Sequence, residues 1–177
     1  MKLILIVVAG ALAIAAGARL AIPMVPVPTT GQTLAVVIVG LLAGPRLGAA
    51  SAVLYLVMVL AGLPVLASGE RLAGAAFLQS ATAGYVVGFI PAAAVVGVIG
   101  WRRGFVLACL AAVAGHAVVL ACGVPLLALK IGWGAAVTHG LLPFLLGALA
   151  KSVVGAGIVT GIRAMRRDAQ VDERRPG

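Results

Sequence analysis

Acidic residues are scarce in this chain. Four Asp and Glu stand against 13 Lys and Arg, leaving a net charge of +9 over 177 residues. The four acids are Glu70, Asp168, Asp172 and Glu173, and all lie outside the long apolar runs. The carboxylate relays that proton-driven carriers keep in the membrane are therefore missing. His116 alone is placed for such work, and a lone histidine in a Gly/Ala-rich helix reads more simply as a hydrogen-bonded packing residue. There is no Walker A loop, no H-E-x-x-H and no G-x-S-x-G. The chain is expected to be no enzyme, to hold no metal and to need no cofactor. Cysteine is scarce too: Cys109 and Cys122 fall in one predicted helix. Thirteen residues separate them by about 20 Å, too far for a disulfide.

What is present is apolar. The chain is 63% hydrophobic and 10% charged, with mean hydropathy +1.23. A soluble domain could not hide so much apolar surface. The 24 glycines suit helices that approach closely inside a membrane. In a soluble protein the basic excess would suggest nucleic acid. Here the basic residues sit between apolar runs, where they orient the chain in a lipid bilayer, so nucleic-acid binding is not expected.

A span needs about 20 mostly apolar residues. Six segments qualify: 3–22, 32–44, 46–62, 81–100, 105–125 and 143–163. The second is short and either crosses incompletely or extends back through "IPMVPVPTTGQ", where Pro23, Pro26 and Pro28 disfavour helix. The expectation is an all-α integral membrane protein: one six-helix domain over 1–163 and a polar tail over 164–177. "AGPRLG" reads as a tight turn between the second and third segments, and "LPVLASGERLAGAAFLQS" as a long mixed loop. With a cytoplasmic N-terminus, Lys2, Arg46, Arg102, Arg103, Arg163, Arg166, Arg167, Arg174 and Arg175 lie inside. Arg19, Arg71 and Lys130 then lie outside. That bias supports six spans with both termini cytoplasmic. "MKLILIVVAGALAIAAGA" also has the shape of a signal peptide, but removing it would place the tail against the charge pattern. The tail is expected to leave the bilayer, meet anionic headgroups through its first arginines and be disordered at its end.

One residue stands apart from this pattern. From residue 131 to residue 162 the only ionisable side chains are His139 and Lys151. An ammonium at a helix centre costs roughly 2.5–3.5 kcal/mol on insertion scales, so Lys151 calls for a reason.

The stretch "IPMVPVPTTGQTLAVVIVGLLAGPRLGAASAVLYLVMVLAGLPVLASG" resembles the N-terminal signature of the BioY family. These are biotin-specific substrate-binding (S) components of energy-coupling factor (ECF) transporters. The family reads P-x-x-P-V-P-x-T-x-Q-T-L-A-V, then G-P-R-x-G, then Y-L-x-x-x-x-x-G-L-P-V-F. Matching residues are Pro26-Val27-Pro28, Thr30, Gln32 to Val36, Gly44-Pro45-Arg46, Gly48, Tyr55-Leu56 and Gly62 to Val65. "SATAGYVVGFIPAAAVVG" resembles a second block through Thr82, Gly84, Tyr85, Gly88 and Phe89. "PFLLGALAK" resembles P-F-L-P-G-D-x-x-K through Pro143, Phe144, Leu145, Gly147 and Lys151. The resemblance spans about residues 20–155. Departures fall at Ala81 for a family proline, at His116 and Leu120 in the G-N-x-x-x-Y pattern, and at Ala148 for the aspartate of G-D-x-x-K.

The resemblance implies an ECF S-component-like bundle of six helices in a bacterial plasma (inner) membrane. It implies capture of biotin from outside, with a transmembrane coupling protein and two ATPase subunits as partners. Alternatives are a divergent S component for another small vitamin-like molecule, or a membrane scaffold without transport. Docking to the coupling partner would use small residues of the first helix in an A-x-x-x-A pattern, met by Ala9/Ala13 and Ala11/Ala15; ordinary bundle packing accounts for them equally.

The candidate ligand residues are Lys151, Tyr85, Thr82, Gly84, Gln32 and His116. Lys151 lies about 12 Å in from Pro143, suited to biotin's carboxylate or ureido oxygen; snorkelling or a bond to backbone carbonyls is the alternative. Tyr85 can stack and hydrogen-bond at once. Gly84 would let a ligand approach the backbone. Gln32 and Thr33 either touch ligand or cap the second helix, and His116 stands where the family has asparagine. Arg71 either closes over the pocket or is a solvated loop charge. Tyr55, Trp101 and Trp133 read as interface or packing aromatics. Ala148 marks an acid that would sit three residues before Lys151 on the same helix face, so Lys151 must find its partner elsewhere.

Overall fold

The computed structural model describes residues 1–172. The chain forms α1 (Lys2–Gly17), a two-stranded antiparallel ribbon of β1 (Ala21–Ile22) and β2 (Thr29–Thr30), and α2 (Gln32–Leu60). A 3-10 turn at Ala67–Gly69 and the short α3 (Gly74–Leu78) follow. Then come α4 (Ala83–Gly100), α5 (Phe105–Ile131), α6 (Trp133–Gly140) and α7 (Leu142–Asp172).

Although α2 is hydrogen-bonded almost throughout, it is a hairpin. Gly44 has φ +81°, outside the helical region, and Pro45 follows it. In a straight helix Gln32 and Tyr55 would be about 35 Å apart. Instead the Gln32 amide Nε2 donates to the Tyr55 hydroxyl. An ideal Cβ on Gly48 would lie 3.1 Å from Gly40 Cα, which only two antiparallel arms in contact permit. A side chain at Gly44 would suffer both the positive φ and the Trp101 ring, 3.0 Å from its ideal Cβ. The two arms of α2 together with α1, α4, α5 and α7 make an all-α membrane bundle of six apolar helices.

Several boundaries differ from expectation. The helix expected over 3–22 stops at Gly17, because the chain turns there so that Ala21 and Ile22 pair with Thr30 and Thr29. The helix expected over 105–125 runs on to Ile131 through Pro125; neighbouring helices let a membrane helix keep an internal proline. The loop after the α2 hairpin contains α3, and α6 precedes the last span. The helix expected over 143–163 continues to Asp172, so the first part of the presumed tail is helical. Residues 173–177, including Arg174, Arg175 and the expected disordered end, lie outside the described residues.

Packing centres on α4, which lies against both α2 and α5. Small residues make this possible: an ideal Cβ at Gly97 would fall 2.6 Å from the Gly44 carbonyl carbon and 2.6 Å from Pro45 Cα. Large apolar side chains such as Leu5, Leu12, Leu110, Leu146 and Val153 stay exposed on the outside of the bundle, where lipid rather than water is the solvent.

The hydrogen bonds also distinguish the two ends. At one end Arg163 on α7 reaches Leu41 and Arg103, next to the α2 reversal and the α4–α5 turn. At the other end Lys151 reaches Thr30 and Thr33, and Lys130 donates to the Leu78 carbonyl.

Candidate ligand-binding site

At the second end lies a cavity open to the outside of the bundle, about 750 Å³ with its open mouth included. The proline loop, the start of α2, the 3-10 segment, α4, α5 and α7 all contribute. The proline loop gives Val27, Pro28 and Thr30, and the start of α2 gives Gln32 and Thr33. The 3-10 segment gives Leu66, Ala67 and Glu70. From α4 and its cap come Thr82, Tyr85, Val86 and Phe89, from α5 His116, Val119 and Leu120, and from α7 Phe144, Ala148 and Lys151. The lining is largely apolar with a few convergent polar groups, the composition expected of a site for an amphiphilic small molecule.

Lys151 sits at the polar wall. Its ammonium donates to the Thr30 carbonyl at 2.6 Å and to Thr33 Oγ1 at 3.3 Å. The β1–β2 pairing brings Thr30 there, folding the proline loop back over the bundle. Both acceptors are neutral, and an ammonium has three N–H donors, so among the described residues one has no partner. The lining carboxylate is Glu70, which is exposed; Ala148 offers none. The backbone-carbonyl alternative for Lys151 thus describes one donor, on the Thr30 carbonyl, while a second goes to the Thr33 hydroxyl.

Gln32 is 5% exposed and its amide is bonded within the protein through both Nε2 and Oε1. Nε2 donates to Tyr55, Oε1 accepts from Thr30 Oγ1 at 3.1 Å, and the Tyr55 hydroxyl donates onward to the Val65 carbonyl at 3.0 Å. Gln32 does not cap α2; Thr30 Oγ1 accepts from the Gln32 backbone N–H at 3.3 Å instead. Gln32 therefore ties the proline loop, α2 and the following loop into one rigid rim.

Tyr85 donates to the Gly140 carbonyl at 2.9 Å and stacks with Phe144, centroids 6.0 Å apart at 28°. Its ring rests on Gly123, where any Cβ would collide with it. Its hydroxyl proton is thus used to hold α6, and what it offers the cavity is aromatic surface. Thr82 hydrogen-bonds Ser80 at 3.1 Å.

Gly84 and half of the α1 alanines lie away from the positions expected of them. Gly84 does not face the cavity: its ideal Cβ would lie 2.8 Å from the Cys122 carbonyl oxygen and 2.9 Å from Leu126, so it serves the α4–α5 contact. Ala11 is fully buried and Ala15 partly so, both packed within the bundle, whereas Ala9 and Ala13 are exposed. Of the two A-x-x-x-A pairs, only Ala9/Ala13 is exposed on the outside of α1. Arg71 is exposed and does not line the cavity.

Sequence reasoning overlooked Ser152. Its hydroxyl donates to the Ala148 carbonyl at 2.8 Å and contacts His116 Nδ1 at 3.1 Å. Nδ1 also lies 2.9 Å from the Ala112 carbonyl. The other ring nitrogen, Nε2, is buried with no hydrogen bond among the described residues. Such an unsatisfied group costs roughly 1–3 kcal/mol. The available signal was a serine directly after the lysine inside an apolar span, since polar groups there are seldom without a task.

With this geometry established, comparison with known proteins adds the family. The BioY family model matches residues 1–168. The chain is 38% identical over 143 residues to the biotin transporter BioY of Rhizobium etli, covering 75% of each chain. It is 32% identical over 154 residues to the biotin transporter BioY of Thermotoga maritima, covering 86% of this chain and 90% of that one. The probable biotin transporter BioY of Pyrococcus horikoshii is 33% identical over 136 residues, covering 77% of this chain and 80% of its own. The fold matches that of the S-component for biotin from an ECF-type ABC transporter, solved at 2.1 Å. The TM-score is 0.80 at 22% identity, over 92% of this chain and 91% of that chain.

Proposed function

The chain belongs to the BioY family, and from that premise we propose that it is the substrate-binding membrane subunit for biotin uptake. The observation that carries this reading is the cavity at the Lys151 end, with a lysine whose partners there are neutral and whose third N–H has no partner among the described residues. An apolar bicyclic ligand with polar groups at its ends matches such a lining. Lys151 and His116 are assigned to polar ligand groups, Tyr85 and Phe144 to apolar ones, Thr82 to the rim and Gln32 to holding the loop that closes it.

In the proposed cycle the cavity opens outward from the bacterial inner membrane and both termini are cytoplasmic, as the arginine-rich end favours. Energy would come from a coupling protein and ATPase subunits, docked on the exposed Ala9/Ala13 face of α1. The purified protein in detergent should gain thermal stability with biotin and show saturable binding by calorimetry, while other vitamins leave it unchanged. Absence of any biotin effect, with another small molecule stabilising it, would overturn the assignment in favour of a divergent S component.

A further inference from the structure

His116 is fixed by two acceptors on one edge of its ring. The Ala112 carbonyl can only accept, and the Ser152 hydroxyl has its single proton committed to the Ala148 carbonyl. A hydroxyl whose hydrogen is spent presents lone pairs. Both groups therefore demand a proton on Nδ1. A second proton on Nε2 would create another cation beside Lys151, its neighbour through Ser152, in a site where the acid position is Ala148; a buried charge without a counter-charge is heavily penalised. The ring is thus neutral with its hydrogen on Nδ1, and Nε2 carries a bare lone pair. His116 is 5% exposed and lines the cavity, and Nε2 makes no hydrogen bond among the described residues.

We propose that His116 Nε2 is a specificity-determining acceptor, selecting ligands that place an uncharged N–H or O–H donor against it. Resting on the reading of this cavity as the ligand site, it narrows the ligand class. A urea or amide N–H fits. A carboxylate does not, because two lone pairs would face each other. Lys151 and His116 together then read a pair of opposite polarity, an acceptor for the ammonium next to a donor for the imidazole. Ser152 is the positioning residue that sets the tautomer.

The test has two arms. In the first, ¹⁵N-histidine spectra of the ligand-free protein in detergent should show His116 Nε2 as a pyridine-type nitrogen and Nδ1 as the protonated one, with Ser152→Ala loosening that preference. A protonated Nε2 overturns the proposal whether or not biotin binds, so this arm is independent of the functional assignment. In the second, His116→Leu and His116→Gln are compared on biotin and on biotin methylated at its ureido nitrogens. His116→Leu should weaken biotin roughly tenfold and the methylated ligand hardly at all. His116→Gln, which keeps an acceptor, should recover most of the loss. Equal losses for both ligands would overturn the proposal. So would wild-type binding of a ligand that lacks any N–H or O–H as tightly as biotin.

Discussion

The same helix carries a basic side chain at each end of the bundle, and the two are used in opposite ways. Arg163 and Lys151 both lie on α7, about 18 Å apart along it, and both donate to backbone carbonyls. Arg163 contacts Leu41 and Arg103 at 2.6 Å each. It thereby fastens α7 to the α2 reversal and to the α4–α5 turn. Around it the packing is closed: Gly97 lies against Pro45, and Trp101 covers Gly44. Lys151 instead borders a cavity and holds one N–H in reserve. A basic group whose donors meet carbonyls of other elements inside closed packing is a fastener. One that keeps a donor beside open space is equipped to bind.

That contrast can be broken at the closed end most severely. Gly97→Val drives a branched side chain into the Gly44–Pro45 backbone, which has no side-chain end to move aside. A loss of about 3 kcal/mol or failure to fold is expected, read as melting temperature and folded yield in detergent. Retained stability would mean that the end is not closed as described. At the cavity end, Lys151→Ala should leave melting nearly unchanged but weaken biotin roughly thirtyfold, equivalent to about 2 kcal/mol for a charged hydrogen bond; calorimetric titration decides. Arg163→Ala should give the reverse, a loss of about 1–2 kcal/mol in stability with biotin affinity kept. If instead it changed affinity as much as Lys151→Ala, the division of labour would be wrong. The smallest expected effect is a gain: Ala148→Asp adds an acceptor on the cavity wall and should tighten biotin by roughly fivefold. Weaker binding would show that the new acid captures the lysine from the ligand.

The apolar runs were legible in the sequence because membrane spans are set by composition over about 20 residues. The reversal was legible because glycine and proline together at residues 44 and 45 are backbone chemistry, local by nature. Helix faces were not. Nothing in an alanine-rich first helix tells whether Ala9 or Ala11 points inward, since both are small and apolar. Gly84 likewise sits among matching family residues, and only the position of α5 shows which way it faces. At the site, the sequence brought forward Lys151, Tyr85, Thr82, Gln32 and His116, and these do line one cavity. Their partners were illegible for a different reason. Thr30 lies 121 residues from Lys151 in the chain, and Gly140 lies 55 from Tyr85. Such pairings exist only once topology has joined the ends, and backbone carbonyls leave no mark in a sequence.

The continuity of α7 has a mechanical consequence. One helix runs from Leu142 to Asp172, with Lys151 gripping the proline loop at one level and Arg163 clasping two turns of the chain at the other. A hydrogen-bonded helix of that length behaves as a stiff rod rather than a string. A pull on the lysine cannot be absorbed locally. It is passed along the rod to the arginine clasp, so the two ends of the bundle are mechanically joined through α7.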